Sequence, residues 1–370
     1  MRLRHLWLTD FRCYRELDLG VSEGATVIRG ANGEGKTSLL EAIGWAATTR
    51  SFRGVADRVL VRSGADRAIV RSDLERDGND VLVEAEIVAS GRNRILVNRQ
   101  PLPRRRELAR TLRVTVFAPD DLELVKGSPG GRRNFLDDLL VASAARYEAA
   151  RADFDRVLKN RNALLKARAR DAGALTTLDV FDDQLVHAGG ELVRGRLRLA
   201  ARLAPWLEDS YRELAGGSDE AVQGVYEAEW AEGSIDASRQ DDVEDLLRAA
   251  LASRRREELE RRITLVGPHR DEWKLVLGDF DARTHASQGE QRTLALALRL
   301  AGHHAVSEVI GESPVLLLDD VFSELDPTRA AALVAHLPPG QTLITTAGVL
   351  PAEVRADQWL TVTNGVVAES

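Results

Sequence analysis

Over residues 1–117 apolar and polar positions alternate with a period of two, the pattern of half-buried strands. Leu6, Leu8 and Phe11 mark one strand and residues 14–19 a second. Residues 68–70, 81–88 and 94–97 mark three more, the last two joined by a Ser90-Gly91-Arg92-Asn93 turn. Residues 25–28 are a short apolar run with β-branched side chains, and 38–48 follow as a helix with Leu39, Leu40 and Ile43 on one face. Val114-Thr115-Val116-Phe117 reads as a buried strand that stops at Ala118-Pro119-Asp120-Asp121. From about 120 to 262 the period becomes helical, through Phe135, Leu139, Leu140, Tyr147, Phe154, Leu158 and Leu165. Gly173 interrupts it, and Phe181, Leu185, Leu192, Leu199 and Leu203 resume it until Pro205. Residues 216–219 read as a loop and 241–262 as a last helix.

Beyond that point the chain looks extended at 262–266 and 273–277, helical at 288–309, and then continuously apolar at 315–318, as a strand buried on both faces is. A helix at 327–337, a strand at 342–345 and a hairpin near Asn364-Gly365 complete the pattern. The expected architecture is α/β: a discontinuous domain of residues 1–118 and 263–370, with an all-helical second lobe, 119–262, inserted into it.

Composition narrows this picture. The chain has 370 residues, 29% charged and 44% hydrophobic, which fits a globular protein of two lobes. A formal charge of −7 means that any nucleic-acid contact must come from local patches. Cys13 is the only cysteine, so neither an internal disulfide nor a multi-cysteine zinc site is expected. The first ten residues alternate like a strand and carry no apolar core of a secretory signal. No apolar run approaches the ~18 residues of a membrane span, so a cytoplasmic location without a membrane partner is expected.

Candidate chemistry begins at Gly30-Ala31-Asn32-Gly33-Glu34-Gly35-Lys36-Thr37, which fits G-x-x-x-x-G-K-[ST] between an expected strand and an expected helix. Glycines let successive N–H groups converge, and the helix start adds its dipole, so the loop favours an anion. Gly30, Ala31, Asn32, Gly33, Glu34, Gly35, Lys36, Thr37 and Ser38 are the expected nucleotide contacts, with Lys36 on the phosphates and the Thr37 hydroxyl on Mg²⁺. Only five of the 51 cationic residues are lysine, so Lys36 is a compact point charge in a chain that otherwise uses arginine. The apolar strand at 315–318 delivers Asp319 and Asp320 at its C-terminal end. With a phosphate loop upstream, Asp319 is expected on the metal and Asp320 beside the attacking water. Ser287-Gln288-Gly289-Glu290-Gln291 opens a helix as a capping box, which accounts for Ser287 and Glu290 but less well for Gly289 and Gln291. Asp326 before Pro327 is a sufficient N-cap.

The order of phosphate loop, Ser-Gln-Gly-Glu-Gln, Leu-Leu-Leu-Asp-Asp and Ser-Glu-Leu-Asp resembles the ATP-binding cassette and SMC-type ATPases. Asp10-Phe11-Arg12-Cys13-Tyr14, Arg50-Ser51-Phe52-Arg53, Phe117-Ala118-Pro119-Asp120-Asp121-Leu122 and Gly267-Pro268-His269-Arg270-Asp271 resemble, more narrowly, the RecF family of bacterial recombination mediators. That resemblance implies an ATP-dependent homodimer in which the loop of one copy and Ser287, Gly289 and Gln291 of the other sandwich ATP. It also implies slow hydrolysis that releases the dimer, duplex DNA at single-strand gaps as target, RecR- and RecO-like partners, and recombinase loading as outcome. Asp320 stands where many cassette ATPases carry Glu, and Thr346 roughly where transporters carry a switch histidine.

Arg156, Lys159, Arg161, Lys166, Arg168 and Arg170 fall within residues 156–170 without one acid, a field suited to a phosphate backbone or simply a solvated helix face. Arg254 to Arg262 interleave with acids at helical spacing and read as intrahelical pairs. Arg104-Arg105-Arg106 and Arg132-Arg133 stay open. His269 and Arg270 read either as contacts to nucleotide or DNA or as structure after the Gly-Pro turn. Few aromatics accompany these cations, so any DNA contact is expected to be backbone-directed and not sequence-specific. The competing readings are a transport ATPase subunit, which needs a glutamine loop and switch histidine, a structural chromosome protein of SMC type, which needs a far longer heptad insertion, and a nucleotide-switched dimer without productive hydrolysis.

Overall fold

A computed structural model describes the chain except for residues 77, 103–107, 109–110, 168–171, 219, 232 and 234. In order it runs β1 (Arg2–Phe11), β2 (Tyr14–Gly20), β3 (Ala25–Arg29), α1 (Lys36–Thr48), β4 (Arg67–Arg76), β5 (Asn79–Val88), β6 (Arg94–Val97), β7 (Gln100–Pro101) and β8 (Val114–Phe117). Then come α2 (Glu123–Lys126), α3 (Pro129–Ser143), α4 (Arg146–Lys166), α5 (Ala172–Leu214), β9 (Val222–Glu227), α6 (Gln240–Arg261), β10 (Glu272–Leu277), β11 (Phe280–Asp281) and α7 (Ala282–His285). α8 (Gln288–Ile310), β12 (Val315–Asp319), α9 (Pro327–Ala335), β13 (Thr342–Thr346), β14 (Gln358–Thr363) and β15 (Val366–Glu369) follow.

Two compact units emerge. The first is Met1–Leu122 with Asp209–Asp219 and Arg292–Ser370; the second is Glu123–Glu208 with Glu220–Gln291. Residues 263–291, expected in the α/β domain, therefore lie in the second unit. The reason is strand pairing: β10 is antiparallel to β9, with Glu272 opposite Glu227 and Leu277 opposite Val222. The inserted unit is thus mainly helical but carries a three-stranded sheet of order β11-β10-β9.

The first unit holds two six-stranded sheets. One, of order β2-β1-β4-β5-β6-β7, is antiparallel throughout. The other has the order β15-β14-β3-β13-β12-β8 and is parallel except for β15. Helix α1 packs against both, which is why it is apolar on nearly every side. Its Leu39, Leu40, Ile43 and Trp45 share one core with Leu6, Leu8 and Val70 of the antiparallel sheet and Ile28, Leu317 and Leu343 of the parallel one. Each such aliphatic side chain stabilises the fold by roughly 1.5–3 kcal/mol.

One charge sits inside this core. Glu41 of α1 is 0% exposed. It accepts two hydrogen bonds of 2.8 Å from the Arg12 guanidinium and one of 2.5 Å from the Ser51 hydroxyl. The two segments Asp10 to Tyr14 and Arg50 to Arg53 thereby meet at a single carboxylate. His303 of α8 is also enclosed, its ring between the Thr115 hydroxyl at 3.0 Å and the Ser313 hydroxyl at 2.9 Å. Burial pushes its pKa down to about 3.

In the second unit α4, α5 and α6 bring together Phe154, Val157, Leu185, Val193, Val243 and Leu247. α5 is one helix of 43 residues that continues through Pro205 rather than ending there. A proline inside a helix removes a bond at a cost of about 3 kcal/mol. Leu203 and Leu207 of this unit and Tyr211 and Leu214 of the first are nevertheless all buried at helical spacing, so the apolar stripe carries the helix past it. Arg161 of α4, expected on a basic face, is 0% exposed. It donates to Asp182 at 2.6 Å, to Glu258 at 2.6 Å and to the Thr264 hydroxyl at 2.9 Å.

Two outcomes follow from these buried polar groups. Arg161→Ala leaves Glu258 buried without its cation and is expected to cost roughly 3–5 kcal/mol in denaturant unfolding, against within about 0.5 kcal/mol for exposed Lys159→Ala. For His303, whose folded pKa of about 3 lies below the ordinary value of 6.5, the unfolded chain takes up the proton first. Its contribution is present above pH ~6.5 and is lost as pH falls toward ~3. Wild type is therefore expected to lose roughly 2 kcal/mol more than His303→Gln between pH 7 and pH 5.

Candidate nucleotide site

The loop between β3 and α1 has the backbone its sequence calls for. Gly33 and Gly35 take φ of 89° and 115°, a region open to glycine and strained for other residues. A Cβ on Gly35 would lie 2.6 Å from Cys13 Sγ and 2.9 Å from the Tyr14 hydroxyl oxygen, so the β1–β2 turn and the first residue of β2 pack directly against the loop. Tyr14 also donates its hydroxyl to Gly35 O at 3.0 Å. A Cβ on Gly30 would meet Val362 O of β14 at 2.5 Å. Ala31, Asn32 and Gly33 are exposed at the crest, and Ser38 is half-buried in the first turn of α1. Lys36 is 6% exposed, and its Nζ donates to Gly30 O and Ala31 O, both at 2.8 Å. The ammonium therefore lies across the loop that would receive phosphate.

Strand order brings the acids to the same place. β13 lies between β3 and β12, with Thr345 level with both Ile28 and Asp319. Asp319 is 5% exposed, and its Oδ1 accepts from the Thr37 hydroxyl and the Thr345 hydroxyl, each at 2.8 Å. Burial raises the Asp319 pKa, opposed by those two hydrogen bonds and by Arg53, and assisted by neighbouring Asp320. A hydroxyl and a carboxylate in contact are a donor set for a hard divalent cation. Asp320 has left-handed backbone, φ 51°, with its N–H donated to the Thr345 hydroxyl at 3.0 Å. That turn directs the chain away from the sheet immediately after the acid pair.

Ser287, Gly289 and Gln291 belong to the second unit. The capping box is formed: Ser287 N donates to Glu290 Oε2 at 2.6 Å, and Glu290 N to Ser287 Oγ at 3.3 Å. Gln291 is 5% exposed and donates its amide to Ala282 O at 3.1 Å and Arg283 O at 3.2 Å. Its side chain braces α7, which is a structural account of a residue expected at a nucleotide. Asp326 caps α9 as expected, accepting from Arg329 N at 3.0 Å.

The expected DNA contacts separate. Lys159 and Lys166 are exposed, Arg156 is exposed and paired with Asp153 at 2.5 Å, and Arg161 is a core residue. Arg168 and Arg170, like Arg104-Arg105-Arg106, lie outside the described residues. Arg132 is buried on Glu272 at 2.8 and 3.0 Å. His269 is half-buried and donates to Thr264 O at 3.2 Å, while Arg270 is exposed and its guanidinium donates to the same oxygen at 3.1 Å. Asp271 accepts from the Tyr226 hydroxyl at 2.5 Å and Trp230 Nε1 at 2.6 Å, and burial raises its pKa to about 6. The Gly-Pro-His-Arg-Asp segment thus knots the second unit.

A glycine loop between strand and helix, a buried lysine and two acids at the C-terminal end of a parallel strand one removed in the same sheet define a P-loop nucleotide-binding head. The model of the RecF/RecN/SMC N-terminal domain matches residues 2–347, and the chain belongs to that family, among its RecF proteins. The DNA replication and repair protein RecF of Frankia alni is 44% identical over 100% of both chains. That of Arthrobacter sp. is 42% identical over 99% of this chain and 98% of its own. The solved recombination mediator protein RecF-ATP of the RecFOR pathway superposes with a TM-score of 0.91 at 29% identity, covering 100% of this chain and 97% of that one. An Smc head bound to the C-winged helix domain of ScpA shares the fold, with a TM-score of 0.59 at 18% identity.

Sequence reading missed Thr345, whose only signal is a hydroxyl at the end of the strand paired with β12. It also missed the support of the loop from Tyr14 and β14, which no spacing reveals. The tight packing under Gly35 makes a direct test. Gly35→Ala is expected to weaken ATP binding roughly tenfold or more by calorimetric titration, whereas Gly64→Ala, at φ 85° with open space around it, leaves ATP binding as it is.

Proposed function

We propose that the chain is a RecF-type DNA replication and repair ATPase, in which ATP holds two copies together on DNA and slow hydrolysis releases them. The observation that carries this reading is the meeting of Lys36, Thr37, Asp319 and Asp320 at the C-terminal ends of parallel strands. Residues 30–38 would cradle the phosphates through backbone N–H groups, with Lys36 moving from loop carbonyls to the anion. Thr37 and Asp319 would hold Mg²⁺, which when bound neutralises charge on the phosphate oxygens. Asp320 would orient and polarise the attacking water.

The capped start of α8 would complete the site of a second copy through Ser287 and Gly289, with Gln291 holding that start in place. A ligand bound by two copies stabilises the pair by mass action, and loss of the γ-phosphate weakens it. Duplex DNA beside a gap is the proposed target, with exposed Lys159 and Lys166 among the backbone contacts and RecR- and RecO-like proteins as partners. The 44% identity to a DNA replication and repair protein supports this, as does the likeness to the RecF of the RecFOR pathway. Among the described residues no helix is long and apolar enough to cross a membrane. The work is proposed to take place in the cytoplasm.

Turnover measured across protein concentration, with and without gapped duplex, tests the reading. It is expected to rise more steeply than linearly and to increase with DNA; a linear, DNA-indifferent rate would sink the composite site. Asp320→Asn is expected to keep ATP binding while slowing hydrolysis about 100-fold in single-turnover assays.

A further inference from the structure

Glu34 places a carboxylate inside a loop built to receive phosphate. An anion there repels the ligand unless it is turned away and held. The structure supplies a holder. Asn364 and Gly365, the turn between β14 and β15, have φ of 49° and 72°, the paired left-handed geometry of a two-residue hairpin. Two successive residues in that conformation present neighbouring N–H groups on one side. Asn364 N donates to the Glu34 carboxylate at Oε2, and Gly365 N donates to Glu34 O at 3.2 Å.

The loop is gripped from the other side by Tyr14, which donates to Gly35 O at 3.0 Å. Gly365 itself fits closely against the same turn, since a Cβ there would lie 3.2 Å from Cys13 O. Glu34 O and Gly35 O are therefore held between the β14–β15 hairpin and the start of β2, all within the first unit. Nothing in the chemistry of phosphate recognition needs a carboxylate at this position. Its hydrogen bond to Asn364 does need one, or an isosteric acceptor.

We propose that Glu34 is a positioning residue, and that the Asn364-Gly365 turn is a latch which holds the phosphate loop open to ATP while drawing the Glu34 charge out of the phosphate cradle. This rests on the reading of residues 30–38 as an ATP site. The latch depends on reach as well as charge. Gln keeps the length and an accepting oxygen; Ala removes the latch and the charge together. Asp keeps the charge but is one methylene too short to reach Asn364 N–H, so its carboxylate is released toward the phosphates.

ATP affinity by calorimetric titration on the full chain is expected to fall about tenfold in Glu34→Ala and further in Glu34→Asp, with Glu34→Gln recovering most of the loss. In steady-state turnover the loss is expected in KM more than in kcat, as for an interaction that prepares the ground-state site. Thermal unfolding without nucleotide separates this from general damage: a melting temperature that falls with the affinity overturns the positioning role. If Glu34→Ala binds ATP as well as or better than wild type, the latch is wrong and the carboxylate is only a repulsive neighbour. Lys36→Ala guards the underlying reading. Should it bind ATP like wild type, the site itself is misassigned, whatever the Glu34 series shows.

Discussion

Asp319 is a carboxylate buried at the C-terminal end of an interior strand of a hydrophobic sheet, and the arrangement of the head depends on satisfying it. Leaving such a charge unpartnered costs several kcal/mol. Two hydroxyls relieve this cost, Thr37 from the start of α1 and Thr345 from the end of β13, each at 2.8 Å. Both can reach only if β13 separates β3 from β12 and if α1 begins immediately after the glycine loop. Strand order, loop geometry and helix start are thus coupled through one oxygen atom. The same oxygen faces the hydroxyl expected to share a divalent cation, so the structural constraint and the chemistry are the same contact.

The second unit is organised differently. Its helices are held by buried arginines as much as by apolar packing: Arg161 on Asp182 and Glu258, Arg196 on Asp137, Arg132 on Glu272. Such pairs add little net stability, because desolvation offsets their attraction, but removing one partner is severe. They also select register, since each guanidinium fits only one set of acceptors. Arg196 shows this fork: it spans both oxygens of Asp137 at 2.7 and 2.9 Å and donates to Pro268 O at 2.7 Å. Of the two residues left open between ligand contact and structure, His269 is half-buried with its ring on Thr264 O, and Arg270 is exposed with its guanidinium on the same oxygen.

Legibility followed the length of the pattern. The strands at 14–20, 94–97, 114–117 and 315–319 and the last hairpin match their period-two or continuous apolar signals closely. β9 was not legible, because Val225 faces outward and Gly224 breaks the run. That glycine is there for Trp273, whose ring would lie 2.5 Å from a Cβ. Without a visible β9 the pattern offers β10 no partner and groups residues 263–291 with the α/β end, whereas pairing with β9 puts them in the second unit. Local propensity makes Pro205 a stop, but the buried stripe that runs through it keeps α5 helical.

The sequence by itself determined the phosphate loop, the acid pair, the capping box and the alternation between a β-rich start, a helical insertion and an α/β end. These are local: each depends on residues within a few positions of one another, where spacing and backbone preference carry the information. Only the tertiary structure decided which polar residues face inward. Arg161 and Gln291 carry the same side chains they would carry at a surface, and nothing nearby in sequence distinguishes them. Arg161 reaches Glu258, 97 residues away, and Gln291 reaches back to Ala282 and Arg283 of α7, a contact that no helical or strand period marks. The latch on Glu34 comes from 330 residues away. Contacts of that separation leave no period in the chain, because they are set by how sheets and helices pack and not by how any one of them forms.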